Sequence, residues 1–385
     1  MRTVRLGAIA KSLPCNYGDE PKDDAPTFDV VKVSNVNGEG QFHGEFEKRR
    51  FDDHQIANLL VREGELLVVK SSGSKANILS GKTAMCGADQ ADRIVASNFL
   101  LRLRVDESAA VPRFIWYVLN SGPSKAFVKT IVGASTYPNL KWSSYASHPI
   151  PLPPLPEQRR IAGILDKADV LRAKRRTALA QLDVLLRSTF LDMFGDPVTN
   201  PMGWERRELD YMCSFLSGYA WKAKSFNSEG LGSPIIRIQN VGTESSDLVH
   251  TTEKPIDRFW IAQGEYLLSL SGSFRLAAWN GPRALLNQRI VKLTPESFVA
   301  PAYFEAALST QLLAIEAMGR HALVNNVALS DLKKIELCVP PLDLQNRFAA
   351  IAASVEQQKA RQHAHLAELD TLFASLQSRA FRGEL

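Results

Sequence analysis

Cysteine is scarce and scattered in this sequence. Cys15, Cys86, Cys213 and Cys338 lie far apart and form no CxxC pair. That spacing supports neither a disulfide framework nor a zinc site, so the thiols read as reduced and no metal is expected. Long apolar runs are missing too. None approaches the ~18 residues needed to cross a bilayer. Met1-Arg-Thr-Val-Arg5 leads into no signal-like stretch. The expectation is a cytoplasmic protein with no membrane partner.

Catalytic motifs are equally thin. Gly81-Lys-Thr83 resembles the end of a phosphate loop, but Ala76 stands where its first glycine belongs. There is no GxGxxG. The two Pro-Pro pairs have aliphatic neighbours, not the Asn/Asp and aromatic neighbours of an amino-methyltransferase motif. Asp331-Leu-Lys333 has the spacing of a nuclease fragment without an upstream Pro-Asp. The histidines form no HxxxH, and His363 and His365 point to different helix faces. A binding role is the simpler reading, with an enzyme of dispersed active-site residues as the alternative. The net charge of +5 is carried by the first half: residues 1–150 hold 19 basic and 16 acidic groups, 151–196 hold 8 and 6, and the rest 19 and 19. That balance permits nucleic-acid binding without requiring it.

What the sequence has is internal repetition. Pro153-Pro-Leu-Pro-Glu-Gln-Arg-Arg160 matches Pro340-Pro-Leu-Asp-Leu-Gln-Asn-Arg347 at an offset of 187, and through Ser188/Ser375 the gapless match is identical at 14 of 36 positions. Upstream the likeness is looser. Val30-Val-Lys-Val-Ser-Asn-Val36 pairs with Ile235-Ile-Arg-Ile-Gln-Asn-Val241, each read as a strand with a polar end. Gly64-Glu-Leu-Leu-Val-Val-Lys-Ser-Ser-Gly73 pairs with Gly264-Glu-Tyr-Leu-Leu-Ser-Leu-Ser-Gly272, each a strand running into a Ser/Gly loop. The order is globular unit, helix, globular unit, helix. The expected boundaries are 1–150, 151–196, 197–337 and 338–385.

Each copy ends in a long helix of roughly 55 Å. In the first, apolar residues at Ile161, Ile164, Ala168, Leu171, Leu182 and Leu185 follow a heptad rule. In the second, Phe348, Ile351, Val355, Leu369 and Leu372 do the same, with a polar middle at Gln358, Gln362 and His365. A helix this long with one apolar stripe needs a partner. Antiparallel pairing with its duplicate is the expectation; packing on its own globular unit is the alternative. The fold class is therefore α+β: two pseudo-symmetric globular domains separated by two long antiparallel coiled-coil helices.

Pro151-Leu-Pro-Pro-Leu-Pro-Glu-Gln-Arg-Arg-Ile-Ala162, Phe190-Leu-Asp-Met-Phe-Gly-Asp-Pro197 and the closing Phe373–Leu385 segment carry a resemblance. The chain resembles the specificity subunits of type I restriction-modification systems over its whole length. It departs from them in the second copy, where Leu344 and Asn346 replace the usual Glu and first Arg of Pro-Glu-Gln-Arg. The resemblance implies two target-recognition domains, each reading one half of a bipartite, asymmetric double-stranded DNA sequence. It also implies a non-catalytic chain. Its helices would space the half-sites and dock two methyltransferase subunits that methylate adenine N6 with S-adenosylmethionine. Two restriction subunits, using ATP and Mg²⁺, would complete the complex.

Base edges are read by Arg, Lys, Asn, Gln, Ser and Thr, and loops at strand ends carry them. The candidates in the first domain are Lys70, Ser72, Ser74 and Lys75 on the Ser/Gly loop, with Ser135, Thr136 and Tyr137 on a second loop. In the second domain they are Ser271, Ser273 and Arg275, with Asn325 and Asn326 in the counterpart of the second loop. Arg237 and Gln239 are placed on a strand. Arg172-Ala-Lys-Arg-Arg176 is the most basic cluster, suited to phosphates, to an acidic partner, or simply to solvent. A competing class of reading makes the chain a coiled-coil scaffold that binds proteins through its globular ends.

Overall fold

A computed structural model describes the chain except Met1, 22–25, 72, 75–76, 133–138, 244–246, 271–273 and 318–327, and without the side chains of 73–74 and 77–78. It divides into two compact units. One is Met1–Arg176 with His365–Leu385; the other is Thr177–Ala364. Each unit takes in a globular domain and a stretch of both long helices.

The first unit is built on a four-stranded antiparallel sheet in the order Ala10–Leu13, Leu100–Val105, Leu66–Val69, Thr83–Met85. The run Leu66-Leu-Val-Val69 is buried on both faces, as its unbroken aliphatic sequence requires. A second sheet joins Glu47–Arg50, Thr27–Val31 and Ile94–Ala96, the last pair parallel. Helix Pro112–Leu119 starts on proline, whose missing N–H costs nothing there, and buries Phe114 to Leu119. Arg102 is buried in the central strand. It pairs with Glu65 at 2.5 Å and donates to the carbonyls of Asn58, Leu59 and Leu60 at 2.8, 3.0 and 2.5 Å. It thereby satisfies the open carbonyl end of helix Asp53–Leu59.

The second unit repeats this plan. Its four-stranded sheet runs Cys213–Ser217, Ile290–Pro295, Tyr266–Ser269, Leu276–Ala278. A five-stranded sheet again holds a parallel pair, Ser233–Ile236 with Ala284–Leu286. Leu103 sits opposite Leu66 and Leu293 opposite Tyr266, so Lys292 occupies the place of Arg102. It pairs with Glu265, the counterpart of Glu65.

The long helices are Leu155–Phe194, 40 residues, and Leu342–Arg382, 41 residues. At ~1.5 Å per residue each is about 60 Å long. In the first unit Arg172 meets Asp370 at 2.6 Å and Arg160 donates to the Leu385 carbonyl at 2.7 Å, so the two helices run antiparallel there. In the second unit Lys359 meets Asp183 at 2.9 Å, and Phe190 and Phe194 pack on Phe348. The ion pair Lys359–Asp183 is Arg172–Asp370 displaced by the repeat offset of 187.

The register of the helix seam corrects the sequence reading. Leu171 and Leu185 are 49% and 51% exposed, and Ile351 and Leu372 are 39% and 50% exposed. Ile164 is only partly buried. Ile161, Phe348 and Val355 are buried, and Leu182 and Leu369 partly so. A heptad series of less exposed positions runs through 161, 165, 168, 172, 175, 179, 182 and 186, with 348, 352, 355, 359, 362, 366, 369, 373 and 376 in the other helix. This is again a heptad pattern, but its alternate positions lie one residue later than the leucines suggest. The seam accepts Arg172 and Lys359 at those places because each has a carboxylate partner, and Arg172 also stacks on Phe373 at 4.4 Å.

The repeated Pro-Pro-Leu-x-x-Gln motif has a structural purpose. Gln158 is fully buried; its oxygen accepts from the Val111 N–H at 2.8 Å and its nitrogen donates to the Pro153 carbonyl at 2.8 Å. Gln345 does the same with the Ala300 N–H at 2.8 Å and the Pro340 carbonyl at 2.7 Å. One side chain thus joins the start of a long helix to the start of a domain helix in each unit.

Candidate nucleic-acid interface

In the first unit three segments converge at one end of the central sheet. The Lys70 N–H donates to the Phe99 carbonyl at 2.9 Å, and the Leu140 N–H donates to the Lys70 carbonyl at 2.7 Å. Ser71 and Asn139 form a bridge. The Ser/Gly loop, the segment following 133–138 and the turn at 97–99 are therefore fastened together. Lys70 is half-buried at this junction. The backbone of Ser74 lies in a two-residue ladder, Gly73–Ser74 with Asn77–Ile78. Ser72, Lys75, Ser135, Thr136 and Tyr137 lie outside the described residues, as does the Ser74 side chain.

Beside this junction is a groove of about 600 Å³ whose lining includes Tyr17, Lys32, Asn37, His43, Lys82 and Phe99. A carboxylate network shapes one wall. Glu47 accepts from Lys32 at 2.6 Å and from Tyr17 at 2.9 Å, and also pairs with Arg49. These contacts, the Lys32 hydrogen bond above all, hold the Glu47 carboxyl down to about 2. Phe99, 58% exposed, is an unusual residue to leave in water at the edge of this polar groove. Gly81, with φ +89°, makes the tight turn before strand Thr83–Met85, where a side chain would meet Val128. The phosphate-loop likeness at Gly81-Lys-Thr83 is thus a turn that presents Lys82.

Arg237 and Gln239 were expected on a strand. The strand ends at Ile236; Arg237 caps a single tight helical turn over Ile238–Asn240, and Gln239 lies within it. Asn240 is the reason. It is buried, and its side-chain oxygen accepts from the Arg237 N–H at 2.9 Å, folding the chain back. Asn35 repeats this latch in the first unit, accepting from the Lys32 N–H at 2.9 Å and donating to the His43 and Glu45 carbonyls at 3.1 and 3.0 Å. The turn exposes Gln239 and sets it against Arg237: the Gln239 oxygen, oriented to satisfy both groups, accepts from Arg237 Nη2 at 2.8 Å.

Arg275 is exposed, and its N–H donates to Ser269 Oγ at 3.0 Å. The Leu270 N–H donates to the Arg289 carbonyl at 3.0 Å, the same tie that joins Lys70 to Phe99. Ser271, Ser273, Asn325 and Asn326 lie outside the described residues. Sequence reasoning missed Phe99, Lys82, Asn37, His43, Gln288 and Arg289. The turn residues were accessible through the repeat, since Ser97-Asn-Phe-Leu100 aligns with Asn287-Gln-Arg-Ile290. Two arginines of the basic cluster are already engaged, Arg172 with Asp169 and Asp370 and Arg176 with Glu39. Among the described residues no group of three or more His, Cys, Asp or Glu could hold a metal, and no helix is long and apolar enough to cross a membrane.

Comparison with known proteins agrees with the repeat. The family model described as type I restriction modification DNA specificity domain matches twice, over residues 22–181 and 201–370. The chain is 29% identical over 163 residues to the type I restriction enzyme EcoBI specificity subunit of Escherichia coli, covering 41% of this chain and 34% of that one. It is 21% identical over 372 residues to the EcoKI specificity subunit of E. coli K12, covering 83% and 75%. The EcoBI match thus spans about a third of that relative's length. Among solved structures, the type I restriction-modification S subunit from M. genitalium shares the fold at a TM-score of 0.54, with 14% identity over 99% of this chain and 96% of that one. A chain from a structure reported on complex assembly and conformational transition of the type I R-M system has a TM-score of 0.50, 20% identity and coverage of 100% and 98%.

Proposed function

The chain belongs to the type I restriction modification DNA specificity family, and from that premise we propose that it reads a bipartite, asymmetric double-stranded DNA target. Each globular domain takes one half-site. The long helices dock two methyltransferase subunits, which use S-adenosylmethionine to methylate adenine. Two restriction subunits dependent on ATP and Mg²⁺ complete the assembly in the cytoplasm. The chain contributes recognition and carries no catalysis.

The observation that carries this reading is one scaffold used twice with different exposed chemistry. The Asn35 and Asn240 latches, the Gln158 and Gln345 pegs and the Glu65 and Glu265 pairs all repeat. The exposed residues Ser34/Gln239 and Phe99/Arg289 do not. A coiled-coil scaffold protein would need no such pattern. The test is to map methylated adenines in cells with and without the gene. A two-part motif that vanishes on deletion is expected; an unchanged methylome refutes the reading.

Helix length should set the gap between half-sites. Removing seven residues from each long helix, at positions 187 apart, takes out ~10 Å. That shortens the gap by about three base pairs at ~3.4 Å each. An unchanged gap in the methylated motif refutes the ruler.

A further inference from the structure

We propose that residues 99 and 289 are one reading position used twice, filled with opposite chemistry: Arg289 reads a guanine in one half-site and Phe99 reads a thymine in the other. This rests on the DNA-reading function above. The equivalence is structural. Leu100 pairs with Val69 and Ile290 with Ser269 at the same end of the central sheet, so Phe99 and Arg289 each precede the same strand. Each carbonyl accepts from the first residue of the Ser/Gly loop, Lys70 at 2.9 Å and Leu270 at 3.0 Å.

The turn is held from the other side as well. Asn16 donates its N–H to the Ala96 carbonyl at 3.0 Å, and Tyr219 donates its own to the Leu286 carbonyl at 3.1 Å. In the second unit Gly218 permits this approach, because a side chain there would strike the Asn287 carbonyl. A backbone tied on both sides holds its outward side chain in a fixed place, which base discrimination requires. The following residues, Leu100 and Ile290, are both buried and aliphatic. Of the four aligned turn positions, 99/289 carries the largest change in chemistry, and it is exposed in both copies.

The chemistry follows from what each residue offers. Arginine presents two parallel donors that match guanine O6 and N7 in the major groove. Phenylalanine has no donor, but an exposed ring packs against the thymine 5-methyl group. Phe99 borders a groove also lined by Lys82, which supplies charge for an adjacent phosphate, while Lys32 in the same groove is paired with Glu47. Gln288 and Asn98, exposed beside these positions, offer amides suited to neighbouring bases.

The experiment is methylome mapping of the chain co-expressed with its methyltransferase partner, comparing wild type with Arg289→Gln, Arg289→Lys and Phe99→Ala. Both Arg289 variants should relax one guanine position in one half-site, cutting discrimination there about tenfold to a hundredfold. Phe99→Ala should relax one thymine in the other half-site. In every variant the untouched half-site keeps its sequence. Unchanged stringency at every position overturns the proposal. So does a uniform loss of methylation by Gln and Lys alike while the complex still assembles on size-exclusion chromatography, because that marks a structural role. A wild-type chain whose deletion removes no motif sinks the functional reading itself, which is a separate result.

Discussion

Replacing Gln158 by leucine tests whether the repeated motif is a structural peg. The side chain is fully buried and bonds Val111 N–H and Pro153 C=O, both at 2.8 Å, with a longer contact to the Ala109 carbonyl at 3.3 Å. Leucine fits the volume but strands at least the first two groups. Each buried, unpaired group costs about 1–3 kcal/mol. Burying leucine in place of an amide returns about 1–2 kcal/mol. The net loss is about 0–5 kcal/mol, centred near 2–3 kcal/mol, read as a lower urea midpoint by far-UV circular dichroism. Hydrogen exchange localises it: the Val111 amide should lose protection. Gln158→Glu adds a pH signature. The carboxylate faces the Pro153 carbonyl, so the folded-state pKa rises above the ordinary ~4.3. Stability is then fully present below that ordinary value and is lost as pH rises through the raised one. Gln345→Leu should reproduce the effect at the Ala300 amide. A leucine variant within about 0.5 kcal/mol of wild type, with the Val111 amide still protected, refutes the peg.

Other consequences follow from the same geometry. Arg102→Ala leaves Glu65 buried and uncaps helix Asp53–Leu59, so a loss of about 3–5 kcal/mol is expected in urea unfolding; a loss under about 1 kcal/mol contradicts the assignment. His148 is buried against Phe127 with its Nε2 on Ser124 Oγ at 2.7 Å, and burial pushes its pKa down to about 4. The unfolded chain takes up that proton first, so stability should fall by about 3 kcal/mol between pH 6.5 and 4, and His148→Phe should flatten that part of the profile. The corrected seam predicts that Leu165→Ala costs about 2–5 kcal/mol, whereas Leu171→Ala costs under about 0.5 kcal/mol; equal losses restore the original register.

The helices were legible because a gapless repeat and a proline-free heptad pattern are local signals. Their seam was misplaced for a physical reason. A count of apolar residues selects Leu171, Leu185, Ile351 and Leu372, all at heptad spacing. The seam instead uses Arg172 and Lys359, acceptable only because Asp370 and Asp183 stand opposite. A carboxylate almost 200 residues away leaves no trace in local periodicity. The same limit applies to the interface. Ser/Gly composition marks the loop at Lys70, but its partner turn at Phe99 is joined by backbone hydrogen bonds that any sequence could make. Arg237 and Gln239 were read as strand because the Asn240 latch, a side chain holding its own backbone, looks like an ordinary polar strand end.

The latch also explains how two domains of loosely similar sequence keep one geometry. Asn35 and Asn240 spend their side chains inward on backbone groups, and so do Gln158 and Gln345. Such residues fix the positions of turns without depending on what the turns display. The Arg102 to Lys292 change shows how far the inside tolerates variation: the cation changes, but its glutamate and its place in the sheet remain. Outside, the first copy's serine and phenylalanine are glutamine and arginine at the matching positions of the second. If fold stability and base choice reside in separate sets of residues, outward substitutions can alter a target sequence without unfolding the domain. An Arg289→Phe variant should then keep the wild-type unfolding free energy in urea to within about 0.5 kcal/mol while changing the methylated motif. A large loss of stability in that variant would show that the two sets overlap and would remove the basis for treating the outward set as exchangeable.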